Sequence, residues 1–382
     1  MNRYKKLFYL PNKHIYLSNH STGCLPRKTK TVINHFMNNW AEFATDAWIM
    51  WLEELTAFEK ALASLLDASA DEFCLQTNVS SALVKIIGSL PKRQTRNKIL
   101  ISDEDFSSIR YVMQQAERLG YDIEVVASMN GRFTVEQWIH KIDETVQMIF
   151  LTHVLPKNNF RLSVEDIIHY ANQYDVYSVV DIAQSVGVIP VSARKLNSHF
   201  IIGNCLKWLC GGPISAFMWV NKQSLELFQP IDVGWFSKED PFEKDVNHFK
   251  YANNARRFLG GTPAIIPCVI ARSGIETIND IGIEIIYQHS QTLCAPLIDY
   301  VNNRKLNIQS PLYPSERGGT VCLKFKNPLP VFHHLHRHGF ITDSIKIMHD
   351  HSNIRISPHI YNDMDEINQL ITCLETIDDR FT

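Results

Sequence analysis

Apolar residues recur at three- and four-residue steps over about 40–66, with Trp48, Trp51, Leu52, Leu55, Phe58 and Leu62 on one face. That period predicts a helix. The pattern then changes to short apolar runs at 73–76, 98–101, 147–151 and 177–180, which predict buried strands. Helical periods lie between them, around 109–119 and 164–174. Alternation of this kind implies right-handed crossovers and a mostly parallel sheet with helices on both faces, an α/β architecture. Such sheets take their ligands at the carboxyl ends of the strands.

After about residue 270 the pattern changes again. A long helix is expected over 268–301, a strand over 320–325, and a helix ending near Gly339. A strand follows around Ile354-Arg355-Ile356, with a closing helix from Asp365. This reads as a smaller α+β domain. The 382 residues suit two or three domains at roughly 150 residues each.

Composition narrows the class only a little. Hydrophobic content is 45% and formal net charge is -2, so neither nucleic acid nor a polybasic membrane surface is implied as a partner. The eight cysteines are scattered, without a C-x-x-C pair, and read as reduced core thiols of a cytoplasmic protein. The apolar run Leu7-Phe8-Tyr9-Leu10 is too short for a signal-peptide core, and no run of 18 apolar residues predicts a membrane span.

Two segments carry candidate chemistry. Asp181 closes the apolar strand Val179-Val180-Asp181, where burial is costly without a cationic partner. Lys207 is a lone cation in Cys205-Leu206-Lys207-Trp208-Leu209-Cys210, ahead of Gly211-Gly212-Pro213. A lone lysine ordinarily snorkels to the surface or pairs with an acid. As a pair, the two residues suggest something more specific. A neutral amine can condense with an aldehyde, and apolar surroundings lower its pKa. An aspartate facing a pyridine nitrogen keeps that ring protonated and electron-withdrawing.

These segments resemble the class V, kynureninase-like branch of fold-type-I pyridoxal-phosphate (PLP) enzymes. The likeness runs through Tyr16-Leu17-Ser18-Asn19, Asp103-Glu104-Asp105-Phe106-Ser107-Ser108, Leu151-Thr152-His153-Val154, Val233-Gly234-Trp235, Arg256-Arg257-Phe258-Leu259-Gly260-Gly261-Thr262 and Arg355-Ile356-Ser357-Pro358. It implies a PLP-binding large domain over 31–268, a small C-terminal domain over 269–382, and a segment 1–30 packing at the active site. It also implies roles. Lys207 would hold PLP as a Schiff base and move protons, Asp181 would pair with the ring nitrogen, and Gln184 would sit near the phenolic oxygen. Phe106 would stack on the ring, and Ser80 and Ser81 would cradle the phosphate at a helix start. Trp235 and Thr262 would reach the phosphate from a second subunit of a homodimer, and Arg355 would grip the substrate carboxylate. Read without the resemblance, Phe106 is an ordinary core residue, the serines a helix N-cap and Arg355 a surface arginine.

The resemblance also has departures. Leu206 stands where kynureninases often have tyrosine before the lysine. Ile109 stands where an aspartate would lie by the ring nitrogen, and Leu155 and Pro156 replace an Asn-Tyr pair. The expected activity is therefore a PLP enzyme on a small or aromatic α-amino acid, a kynureninase-like carbon–carbon or β-bond lyase or hydrolase. A class V aminotransferase and a cysteine-desulfurase-like C–S lyase are the alternatives, and a non-catalytic PLP-fold binding protein is a further one. No metal is expected. His333, His334, His336 and His338 precede Gly339, with His349 and His351 beyond, but no neighbouring thiolate or carboxylate completes a set in sequence. The Gly211 and Gly260 turns lack nucleotide-loop spacing.

Overall fold

The computed structural model describes residues 2–243, 245, 247–304, 307–342 and 353–377. Its first long helices are α1 (Lys28–Phe43) and α2 (Trp48–Leu66). The single helix expected over 40–66 is therefore two. The apolar period continues through the break, but Ala44 adopts φ 47° and a short 3-10 turn, Ala44–Ala47, redirects the chain. The turn lets Phe36 and Trp40 of α1 meet Trp51 of α2, at ring separations of 5.9 and 5.8 Å.

Next come β1 (Phe73–Gln76), α3 (Val79–Ser89), β2 (Lys98–Ser102), α4 (Ser107–Ala116), β3 (Asp122–Val126), β4 (Val146–Thr152), α5 (Val164–Gln173), β5 (Tyr177–Asp181), β6 (Phe200–Asn204) and β7 (Ala216–Val220). They form a seven-stranded sheet in the order β1-β7-β6-β5-β4-β2-β3. The pairs from β6 through β3 are parallel, and β7 pairs antiparallel with both of its neighbours. Every residue of β4 and β5 is buried. That explains their unbroken apolar sequences, since helices cover both faces of such strands. One edge of the sheet thus collects the carboxyl ends of β1, β2, β4, β5 and β6.

Two helices follow, α6 (Ile265–Ile281) and α7 (Ile283–Arg304), where one was expected. Gly282 at φ 94° caps α6, a conformation that favours glycine. Cys268, Ala271, Ile275, Ile278 and Ile281 of α6 pack in the large core with the sheet. The expected division at 268/269 falls inside this helix. By packing, the division lies within α7, where Ile286 belongs to the large core and Leu293 and Leu297 to a second one. That smaller core also contains β8 (Val321–Lys324), α8 (Pro328–Arg337), β9 (Asn353–Ile356) and α9 (Met364–Glu375). Strands β8 and β9 pair antiparallel, with Cys322 opposite Arg355.

All eight cysteines are free and buried. Among the described residues no helix is long and apolar enough to cross a membrane.

Candidate active site

The strand ends surround a cavity of about 330 Å3. Asn78 and Ser80 enter it from beyond β1, Phe106, Ser108 and Ile109 from beyond β2, and Thr152 and Val154 from β4. Asp181 and Gln184 come from β5, and Asn204, Leu206 and Lys207 from β6. A larger cavity of about 640 Å3 lies elsewhere, lined by exposed charges such as Arg132, Lys157 and Lys324. The smaller cavity contains the buried acid and the amine.

Lys207 sits in the turn that leaves β6. Its backbone N–H donates to Asn204 Oδ1 at 3.3 Å, and its carbonyl accepts from Cys210 N at 3.1 Å. The N-terminal segment lies directly against this turn. Gly23 N donates to the Leu206 carbonyl at 2.9 Å, and a Cβ at Gly23 would overlap the Lys207 carbonyl oxygen. Burial pushes the Lys207 amine down to about 8, against the pull of Asp181 upward, and Arg355 adds to the lowering. An amine of this kind is neutral in a useful fraction near pH 7. Asp181 accepts from Ala183 N at 2.8 Å. Its burial raises the carboxyl pKa, while that hydrogen bond and Lys207 restrain the rise.

Ser80 lines the cavity, and the cap of α3 is neither serine. Asn78 Oδ1 accepts from Ser81 N at 2.8 Å, so Asn78 is the N-cap and the Ser81 amide is already engaged. An 11-residue helix with its free N–H groups at the cavity suits a phosphate. Phe106 precedes α4, lines the cavity and is 57% exposed, which separates it from ordinary core phenylalanines. Gln184 donates to the His20 carbonyl at 3.1 Å and accepts from Trp208 Nε1 at 3.2 Å, which fixes its amide. Arg355 donates to the Pro156 carbonyl at 3.4 Å and is close enough to lower the Lys207 pKa.

Trp235 and Thr262 do not line the cavity of their own chain. Trp235 Nε1 donates to Thr262 Oγ1 at 3.2 Å beside Trp48, 5.4 Å away ring to ring. The loop bearing Thr262 is anchored by its arginines. Arg256 makes a two-point pair with buried Glu59 at 2.8 and 2.7 Å. Arg257 donates to the Ala252, Leu225 and Phe228 carbonyls.

Sequence reasoning assigned no role to Asp105. It is buried and accepts from Thr152 Oγ1 at 2.6 Å and Ser102 N at 2.8 Å. Burial, helped by Asp181, raises its carboxyl to about 6. The run Asp103-Glu104-Asp105 gave no signal of which acid turns inward. Asn78 was legible in retrospect, as an asparagine between an apolar run and a helical period.

Among the histidines, the structure corrects one premise. Cys373, distant in sequence, places its sulfur near His334 and His338, so a thiol does stand beside the cluster. His349 and His351 lie outside the described residues.

An aromatic face, a buried acid at a strand end, a helix N-terminus and an amine with lowered pKa fit a pyridine ring carrying a phosphate and an aldehyde. The comparisons agree. The family model for class-V aminotransferases matches residues 15–370. An uncharacterized aminotransferase, YcbU, of Bacillus subtilis is 26% identical over 374 residues, covering 97% of this chain and 96% of the relative. A kynureninase of Deinococcus radiodurans is 28% identical over 353 residues, covering 88% and 84%. The apo cysteine desulfurase of Thermococcus onnurineus shares the fold, with a TM-score of 0.86 at 21% identity and coverage of 97% and 96%. The chain belongs to the class-V aminotransferase family, with the fold-type-I architecture, and is a PLP-dependent enzyme.

Proposed function

We propose that this enzyme is a kynureninase-like lyase or hydrolase that breaks the Cβ–Cγ bond or another bond of Cβ in an α-amino acid whose side chain is not ionised. The observation that carries this reading is the cavity lining. Lys207 and Asp181 are the only ionisable groups in its lining among the described residues; Arg355 is not part of the lining but is close enough to act on Lys207. Phe106, Ile109, Val154, Pro156, Leu206 and Ile214 make the rest largely apolar. Such a wall favours an uncharged side chain and leaves Lys207 as the base placed to move protons, including those of the water that a hydrolytic Cβ–Cγ cleavage consumes.

When bound, PLP supplies an electron-withdrawing ring that acidifies the Cα–H of an amino acid. Asp181 would hold a proton at the ring nitrogen. Lys207 Nζ would take the Cα proton and deliver it elsewhere. Arg355 would fix the substrate carboxylate in a bidentate pair, and Phe106 would cover one face of the ring. Ser80 and the N–H groups at the start of α3 would hold the phosphate. Trp235 and Thr262 would do the same for the site of a second copy in a homodimer. Their absence from the cavity of their own chain supports this, as do the nearby exposed Trp40 and Ile266.

Class V aminotransferase activity is the second reading, favoured by the same single-base arrangement, since transamination also needs only Lys207 to move protons. The test is a panel of amino acids incubated with PLP-loaded enzyme, with and without a 2-oxo acid acceptor. The lyase reading expects a cleaved side chain and acceptor-independent turnover. Turnover that strictly needs the acceptor, with the side chain intact in the product, would replace it with the aminotransferase.

A further inference from the structure

We propose that His334, His338 and Cys373 form a binding site for a borderline-soft divalent cation such as zinc, which would tie α8 to α9 in the small domain. His334 lies in the last turn of α8, His338 is its C-cap, and Cys373 lies near the end of α9. One donor atom from each residue falls within 4.8 Å of the others. A tetrahedral zinc ion with nitrogen and sulfur ligands needs separations of roughly 3.3–3.6 Å. Closing that difference takes side-chain rotations, with release of the 3.0 Å contact between His334 Nε2 and the Thr376 hydroxyl if that nitrogen is the ligand.

Three further observations favour a metal. The histidines are four residues apart on one helical turn, and their rings lie 4.3 Å apart, tilted by 33°. Next, Nδ1 of His338 is within 2.8 Å of the His334 carbonyl oxygen. With a proton on Nδ1, this bond orients the ring and leaves Nε2 as a lone-pair donor, as metal-ligating histidines usually require. Finally, Cys373 supplies a thiol at 9% exposure, and a cavity of about 590 Å3 reaches His334 of the three donors.

The charges also permit binding. Arg337 repels an incoming cation, and the thiolate counters that repulsion. Binding forms a metal–sulfur bond, and the Cys373 thiol proton leaves to solvent. The fourth position would hold water. Two imidazoles and a thiolate select zinc, cobalt(II) or copper over magnesium or calcium, which prefer oxygen ligands.

The test is a cobalt(II) titration of the full chain, loaded with PLP and carrying no polyhistidine tag, followed by the visible d–d bands of four-coordinate cobalt. One equivalent should bind and produce these bands, and zinc should displace it. Affinity should fall at least tenfold in His338→Gln, whose exposed position spares the fold, and in Cys373→Ser. Lys207→Ala should bind as the unaltered protein does. No d–d bands at micromolar cobalt, or equal affinity in His338→Gln, would overturn the proposal.

Discussion

Asp105 accepts a 2.6 Å hydrogen bond from the hydroxyl of Thr152, the residue that pairs in register with Asp181 on the neighbouring strand. The charge of buried Asp181 thus reaches Asp105 and adds to the rise of its carboxyl pKa. In the fold Asp105 holds its proton up to about pH 6, against an ordinary 3.8. A raised acid pKa means that the folded state binds the proton more tightly than the unfolded one. Stability from this group is therefore greatest at low pH and is lost as pH rises from 3.8 to 6. Asp105→Asn cannot ionise, so relative to the unaltered protein it should gain on the order of 2–3 kcal/mol between pH 4 and pH 7. Urea unfolding at both values measures this. A difference that stays constant with pH would show that Asp105 titrates normally.

Acid should destabilise the protein through two other groups. Burial lowers His153 and His359 from 6.5 to about 3. Both are held neutral in the fold, with His153 Nδ1 at 2.9 Å from Ser185 Oγ and His359 Nε2 at 3.0 Å from the Trp208 carbonyl. Their stability is fully present above 6.5 and lost as pH falls toward 3. Each costs about 1.4 kcal/mol per pH unit in that window. Asp105 acts in the opposite sense, so among these three groups the net loss between pH 6 and pH 4 is about 1.4 kcal/mol per unit. The urea midpoint should fall steadily over that range, and less steeply in His359→Asn. A midpoint independent of pH from 6.5 to 4 would contradict this.

Shared active sites lead to a complementation test. Lys207→Ala removes the amine, and Thr262→Ala or Trp235→Ala removes a group assigned to the partner's phosphate. Homo-oligomers with twofold symmetry place the same patch on both subunits. Mixing a Lys207→Ala chain with a Thr262→Ala or Trp235→Ala chain should therefore restore part of the activity, because the mixed dimer has one intact site. A monomer by light scattering that binds PLP and turns over would rule out shared sites.

Lys207 and Asp181 stood out in sequence because ionisable residues interrupt apolar runs, and the structure brings both to one cavity. The sheet was legible for the same reason, since buried parallel strands have continuous apolar runs. Two helix breaks were not. Gly282 carried a signal that the apolar period masked, and Ala44 carried none, because no rule places alanine at positive φ. Asn78 carried an N-cap signal that was passed over for Ser80 and Ser81, and the bond from Ser81 N shows that it caps α3. Asp105 and Cys373 depend on tertiary contacts. Asp105 turns inward because Thr152, 47 residues away, supplies its donor. Cys373 meets His334 and His338 only when α8 and α9 pack around the small core.

The central claim is that Lys207 is the amine that bonds the cofactor. Borohydride reduction of the PLP-loaded enzyme, followed by proteolysis and mass spectrometry, tests it most directly. The account predicts one phosphopyridoxyl group per chain, on Lys207, and none in Lys207→Ala. Because that amine is lowered to about 8, the rate at which apoenzyme captures PLP should rise with pH and level off above 8. A reduced adduct on another lysine, or one that persists in Lys207→Ala, would contradict the account.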